Sequence, residues 1–460
     1  MSALDLTADP ARMHRFDSEM TDLVLDYVRA RLEMPEVPLD HPGDAATLGA
    51  LLDGLITDGG RDPREVLDLY ADHLALNVIS ADSPRFLAFI PSAPTKAALL
   101  FDTVVSCASL QGISWLEAAG AVAAENQALR VLSDLAGLPE AAGGAFVSGG
   151  SAGNLSALVV ARDVARRRLG DPRARLRVAV SSQAHSSIGN TLSILDLEPL
   201  VVPTVDRQLT EGAVRAALDM NAGSDPVCAI VATAGTTNAG IVDDLAGVAA
   251  AVRGTNIWFH VDAAYGGAGL FAPSVRHLFD GIEHADSLVI DPHKWLFAPF
   301  DCAALIYRNP ALARSVHTQD APYLDCIHTD SPDEWNPTDY AYHLTRRARG
   351  LPLWFSLAVN GLDAYRDAVE RAIELARIAA DMVRERPGLT LLREPQLSNV
   401  LFRREGWVPA DYAQWSADLL QQQVAFVEPT RWDGEIVGRL SFLHPATTEA
   451  MIIEVLDAMS

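Results

Sequence analysis

Asn256-Ile257-Trp258-Phe259-His260-Val261-Asp262-Ala263-Ala264-Tyr265-Gly266-Gly267 is an apolar run that stops at a carboxylate and gives way to small residues. Ser287-Leu288-Val289-Ile290-Asp291-Pro292-His293-Lys294-Trp295 follows the same plan, with an amine at its end. Both read as strands whose polar chemistry begins where the strand finishes. Working outward, further apolar runs lie at 144–147, 177–181, 199–202, 228–232 and 302–307, and helical stretches such as 153–169 and 210–219 separate several of them. Apolar strands alternating with helices imply an α/β fold, a mainly parallel central sheet flanked by helices on both faces. In such sheets ligands gather at the carboxyl ends of the strands.

Upstream, Asp17-Ser18-Glu19-Met20 leads into Leu23, Val24 and Tyr27, and Arg61-Asp62-Pro63-Arg64-Glu65 opens a second helix with proline in its first turn. The Pro-rich piece 34–42 reads as a turn or linker. Downstream, a long helix with Pro352 in its first turn runs toward Val383, and strands near 397–403 and 438–443 close a small α+β unit. The expected organisation is an N-terminal helical segment (1–82), a large α/β domain (83–345) and a small C-terminal domain (346–460).

At 460 residues the chain suggests two or three packed units, and 49% hydrophobic with 21% charged residues is the profile of a soluble globular protein. A formal charge of −24 repels phosphate backbones, so nucleic acid is not an expected partner. No run of about 18 uncharged apolar residues suggests a membrane span. Residues 1–10 carry two aspartates and lack the basic-then-apolar layout of a signal peptide, which makes the cytoplasm the expected address. The four cysteines, Cys107, Cys228, Cys302 and Cys326, are widely spaced, which argues against a disulfide framework or a structural metal site. Of 36 basic residues only Lys96 and Lys294 are lysines. Arginine cannot lose a proton and form an imine with a carbonyl, whereas a lysine amine can.

The strand ends carry the chemistry. Residues two apart on a strand share a face, so Asp262 and Ala264 point the same way. A buried carboxylate needs a partner; a protonated pyridine nitrogen would serve, with Ala264 as a small floor beneath the ring, or Asp262 caps the next turn. Lys294 follows 32 residues later. Desolvation lowers a lysine's pKa and makes it nucleophilic, although a strand-end lysine taken alone is more often structural. Ser148-Gly149-Gly150-Ser151-Ala152-Gly153-Asn154-Leu155 follows a strand and opens a helix, where close backbone approach and N–H donors suit an anion. It has neither the Gly-Lys-Ser/Thr of a nucleotide loop nor the spacing of a dinucleotide fingerprint. His185, in Gln183-Ala184-His185-Ser186-Ser187, and Gly235-Thr236-Thr237-Asn238 lie just past two more strands. Four polar strand ends converge on one sheet edge.

These stretches resemble the group II pyridoxal-5′-phosphate (PLP) decarboxylases, the family of aromatic-L-amino-acid, histidine and glutamate decarboxylases. The resemblance runs from about Ser83 to the C-terminus and includes Tyr323-Leu324, Arg346-Arg347 and Arg439-Leu440-Ser441-Phe442. It implies PLP fold type I (aspartate-aminotransferase-like) and a PLP cofactor held as a Schiff base on Lys294, with Asp262 paired to the pyridine nitrogen. It places His185 against the ring and the substrate carboxylate, and Gly150 and Ser151 at the phosphate with help from Asp291. Thr237, Ala264 and His293 complete the cofactor site. Tyr323 matches the mobile-loop tyrosine that returns a proton to carbon, delivered across the interface of a homodimer. The substrate wall falls on Phe89, Ser92, Gln111, Ile113 and His185.

The chain departs from the family pattern in places. Position 291 is Asp where aromatic decarboxylases often have Asn, and a carboxylate beside a phosphate is repulsive unless it caps a backbone turn or points away. Pro352 replaces a common lysine. Ala81 and Ile113 stand where aromatic specialists tend to have Trp and Phe, and Gln111 where an aliphatic residue is usual, so the pocket is expected to be roomier and less aromatic. With no extra charged wall residue evident, decarboxylation of an aromatic or similarly bulky L-amino acid to its amine and CO2 is the first reading, and a diamino or acidic substrate the alternative. Aldehyde synthases of the family typically carry phenylalanine at the loop tyrosine, so Tyr323 favours plain decarboxylation. A nucleotide-binding protein is the reading from another class, supported by the glycine turn alone.

Overall fold

The apolar runs become seven strands of one sheet: β1 (Gly143–Val147), β2 (Arg177–Ser181), β3 (Glu198–Val202), β4 (Val227–Thr233), β5 (Trp258–Asp262), β6 (Ser287–Ile290) and β7 (Ala303–Tyr307). Each lies within a residue of its expected bounds. The computed structural model describes residues 11–91, 93–327 and 334–459; residues 1–10, read above for a leader, and Ser92 fall outside them. The strand order is β1-β7-β6-β5-β4-β2-β3. All neighbours from β6 through β3 pair in parallel, and β7 alone runs antiparallel to β6 and β1. Thr233 pairs with Asp262 and Asp262 with Val289, so β4, β5 and β6 finish level with one another.

Side-chain alternation distributes these strands between two cores. Phe259, Val261, Leu288 and Ile290 face one apolar cluster. Trp258 and Val289 face the other, with Leu158 and Ala161 of the helix Gly150–Leu169. By the same alternation His260 and Asp262 also point toward that helix. Gly153 lets the helix lie close to the sheet, since a Cβ there would stand 2.8 Å from Val289 Cγ2.

The chain divides into two compact units, Met1–Ser83 and Pro84–Ser460. The first has helices Ser18–Glu33, Ala45–Leu52 and Pro63–Leu69, capped by Asp17, Asp44 and Asp62, whose carboxylates accept first-turn N–H groups. The second holds the large sheet and a smaller antiparallel one of β8 (Leu389–Leu391), β9 (Asn399–Arg404), β10 (Thr430–Trp432) and β11 (Glu435–Ser441), in the order β10-β11-β9-β8. Asp433-Gly434, both at positive φ, makes the two-residue turn between β10 and β11. The 35-residue helix Leu351–Glu385 breaks at Gly361 (φ 77°) and joins the two cores. Leu353, Leu357 and Val369 pack with the large sheet, whereas Leu375, Ala379 and Val383 pack with the small one. Arg85–Leu87 hydrogen-bonds to the small sheet through Phe426 and Ser441. Among the described residues no helix is long and apolar enough to cross a membrane.

The start of the long helix is held by a buried ion pair. Arg346 meets Glu125 at 2.8 Å, both almost wholly buried, and Glu125 also accepts the Gly350 N–H at 2.8 Å. Removing one member leaves the other charged and unpaired in the core. Glu125→Ala is expected to cost about 3–5 kcal/mol of unfolding free energy, read by urea denaturation.

Candidate active site

The site forms where β4, β5 and β6 end level and the turn after β1 opens a helix. It is a cavity of about 270 Å³ lined by Gly150, Ser151, His185, Thr237, Asp262, Ala264, Asp291, His293 and Lys294. Nine residues expected from the sequence thus come together, drawn from five separate stretches of chain.

Asp291 and Lys294 lie in the turn that ends β6, which is tied to β5 by the Asp291 N–H bonding to Ala264 O at 3.0 Å. Lys294 Nζ sits 2.9 Å from Asp291 Oδ2, with the lysine side chain 23% exposed. The expected fall in the lysine's pKa does not occur. Burial pushes it down, but the Asp291 and Asp262 carboxylates more than reverse that, and the net shift is upward.

Asp291 also answers the question of a carboxylate at this position. The helix Gly150–Leu169 starts at Gly149 with no side-chain cap of its own, and the Gly150 N–H donates to Asp291 Oδ2 at 3.1 Å. The carboxylate therefore caps a backbone turn. Gly150 is required at that spot, because a Cβ would lie 2.9 Å from Asp291 Oδ2 and 3.1 Å from Ala264 Cβ. His293, behind the turn, accepts the Cys302 N–H on Nδ1 at 2.9 Å and has its pKa lowered by burial.

Asp262 accepts the Ala264 N–H on Oδ1 (3.1 Å) and the Asn154 amide on Oδ2 (2.9 Å). His185 caps the helix Ser186–Leu195: its Nδ1 accepts the Ser187 N–H at 3.2 Å and lies 2.9 Å from Ser187 Oγ. Gly235, at φ 107°, lets the turn after β4 pass against Gly266, whose Cα would be 2.8 Å from a Cβ. Beyond it, Thr237 O accepts from the buried Arg439 at 2.7 Å, and the same guanidinium holds Phe89 O at 3.1 Å. Burial pulls the Arg439 pKa down to about 10.

The other expected residues lie elsewhere. Phe89, Gln111 and Tyr323 are exposed and are not among the residues lining the cavity. Ile113 is buried against Leu324 and Ile327, so it anchors the segment that carries Tyr323. Ser92 is outside the described residues. Sequence reasoning missed Asn154, Ser187, Thr233 and Tyr265, which also line the cavity. Asn154 had a signal: it stands one helical turn beyond Gly150, on the same face as the glycine turn.

These residues fit the cofactor that the resemblance implies. A buried carboxylate, a largely buried amine and a helix start whose N-cap residue is a glycine with no side chain converge on one space floored by Ala264. Asp291 Oδ1 and Thr233 Oγ1 are buried there without a hydrogen-bond partner. One donor assigned to the phosphate, the Gly150 N–H, is shared with Asp291.

The comparisons with known proteins agree with this geometry. Residues 48–405 match the pyridoxal-dependent decarboxylase conserved domain. The chain is 28% identical to an aromatic-L-amino-acid decarboxylase of Bacillus atrophaeus, over 98% of this chain and 95% of that protein. It is 32% identical to an L-2,4-diaminobutyrate decarboxylase of Rhizobium meliloti (strain 1021), over 82% and 77%. The crystal structure of Oryza sativa TDC with PLP and tryptamine superposes with a TM-score of 0.87 at 25% identity, covering 100% of this chain and 98% of that one.

The charge at position 291 sets a measurable quantity. With only two lysines in the chain, reductive ¹³C-methylation gives two resolvable lysine signals. Asp291→Asn keeps an acceptor for Gly150 but removes a carboxylate that raises Lys294, so the Lys294 signal is expected to titrate at lower pH than in the native protein while Lys96 is unchanged.

Proposed function

The chain belongs to the pyridoxal-dependent decarboxylases and is a carboxy-lyase that acts on amino acids with PLP, and from that premise we propose that its substrate is an L-amino acid with an aromatic or comparably bulky side chain. The observation that carries the reading is the meeting of Lys294, Asp262 and the Gly150 helix start in one cavity. Its charged groups are already engaged, Asp291 with Lys294 and Gly150, and Asp262 with Asn154 and Ala264. That leaves little to select an acidic or diamino side chain. L-2,4-diaminobutyrate is the second reading, favoured by the Rhizobium meliloti relative. Screening the purified enzyme against the common amino acids and their hydroxylated and diamino relatives decides between them. An arylalkylamine product with CO2 supports the first reading, and 1,3-diaminopropane replaces it with the second.

When bound, PLP supplies an electron sink for the pair left on carbon as CO2 departs. Lys294 would be the amine that holds the cofactor and later releases the product. Asp262 would keep the ring nitrogen protonated, and His185 would face the ring and orient the substrate carboxylate. Tyr323 would return the proton to carbon. Gly150 and Ser151 would offer N–H groups to the phosphate, with Thr237, Ala264 and His293 completing the site.

The same reading makes the active form a cytoplasmic homodimer whose sites lie at the subunit interface. The four free thiols suit a reducing compartment. Phe89, Gln111 and Tyr323 stand exposed outside the cavity, as residues that serve a second copy would. Helix Ser18–Glu33 buries none of its residues and exposes Met20, Val24 and Leu25, which suits a segment, 1–82, that wraps a partner. The large domain is taken as 83–345 and the small one as 346–460.

Mixing Lys294→Ala with Tyr323→Phe protein tests the shared site. Hybrid dimers contain one site with both native residues, so random reassociation is expected to restore about a quarter of native decarboxylation. No restoration would place Tyr323 in its own subunit's site or outside the chemistry. For the Tyr323→Phe homodimer, amine formation is expected to fall by about 10²-fold or more, with aldehyde, ammonia and peroxide appearing when oxygen is present.

A further inference from the structure

A chain of buried polar groups runs beneath the cavity floor, and its direction can be read from its two ends. At one end, Trp258 Nε1, a donor only, bonds to Ser287 Oγ at 2.7 Å. Ser287 Oγ lies 2.7 Å from His260 Nδ1, and His260 Nε2 lies 2.9 Å from Asn154 Oδ1. Asn154 Nδ2 then reaches Asp262 Oδ2 at 2.9 Å and Ser187 Oγ at 3.1 Å. At this end the Asp262 carboxylate only accepts.

Donor and acceptor ends fix everything between them. The Asn154 atom facing Asp262 must be its amide nitrogen, so its oxygen faces His260 and must accept. His260 therefore carries its proton on Nε2 and accepts on Nδ1 from the Ser287 hydroxyl, which is free to donate because it accepts from Trp258. Complete burial supports this neutral form, pushing the His260 pKa down to about 4. Both hydrogens of the Asn154 amide are used, one on Asp262 and one on Ser187 Oγ. Ser187 then donates its own hydroxyl hydrogen to His185 Nδ1, which also accepts the Ser187 backbone N–H. With Nδ1 an acceptor, the proton of His185 is on Nε2.

We propose that Asn154 is a positioning residue that sets two groups of the cofactor site at once, the Asp262 carboxylate and the His185 imidazole, with its own amide held in one orientation by the chain Trp258–Ser287–His260. This inference rests on the reading that Asp262 and His185 bracket the cofactor ring. Asn154 lines the cavity but takes no part in the chemistry itself. It acts by denying Asp262 the freedom to turn and by directing the Ser187 hydroxyl hydrogen at His185 Nδ1, beside the Ser187 N–H that already makes Nδ1 the acceptor. Its three side-chain partners, Asp262, Ser187 and His260, are all buried, so a misplaced amide is poorly rescued by water.

The test uses holoenzyme reconstituted with PLP. Asn154→Leu removes the amide, and Asn154→Asp keeps its shape and its acceptor for His260 but loses both donors. In each, cofactor retention is expected to weaken about tenfold or more, and the visible circular dichroism of the bound cofactor to fall, with kcat reduced more than KM. Ser187→Ala cuts only the His185 branch and should leave the cofactor dichroism near native while lowering kcat. If Asn154→Leu does not fold, Asn154→Asp carries the test. Either folded variant holding PLP with native affinity and native dichroism overturns the proposal. Borohydride reduction of the native holoenzyme separates the underlying reading: failure to fix the cofactor on Lys294 sinks that reading, whereas normal fixation with an indifferent Asn154 sinks only this inference.

Discussion

The site depends on an ammonium held at the end of a buried sheet by two carboxylates that arrive from different strands. Desolvation alone lowers the pKa of Lys294. Asp291, three residues earlier in the same turn, and Asp262, at the end of β5, raise it instead. Asp291 is a shared anchor as well, since one of its oxygens takes both the lysine ammonium and the Gly150 N–H. The glycine turn and the lysine turn are thereby held in register by a single carboxylate. A displacement of either would be felt by the other.

The sheet makes this possible. Parallel strands covered on both faces have little tolerance for polar side chains, because each buried donor or acceptor must be matched. Here the polar residues of β5 fall on one face at alternate positions, Trp258, His260 and Asp262, where Asn154 and Ser287 meet them. The result is an internally satisfied strip between an apolar core and the cavity. Its end groups have fixed donor and acceptor character, so the strip has one polarity and not two.

Much of this was legible in the chain. All seven strands of the large sheet follow from apolar runs, and the helices after Asp17 and Asp62 from the short polar stretches that open them. Lys294, Asp262 and the glycine turn are legible by residue type at strand ends, where α/β sheets collect their chemistry. Asn154 is not legible there, because a buried asparagine on a helix looks like any polar residue until its partners are known. The direction of the Lys294 pKa shift is not legible either, because its sign depends on the distances of two carboxylates, which no spacing in sequence reports.

By itself the sequence determined which residues could form an imine, hold a ring nitrogen and receive an anion, and that they would stand at strand ends of a mainly parallel sheet. Those conclusions need only residue chemistry and the periodicity of strands and helices, which are local properties. The tertiary structure decided how the groups pair: that Asp291 caps Gly150 while holding Lys294, that Ile113 packs against the Tyr323 segment rather than the cavity, and that Asn154 joins Asp262 to His185. Pairing energies vary with distance and burial over a few ångströms, and those distances exist only once the strands have come together.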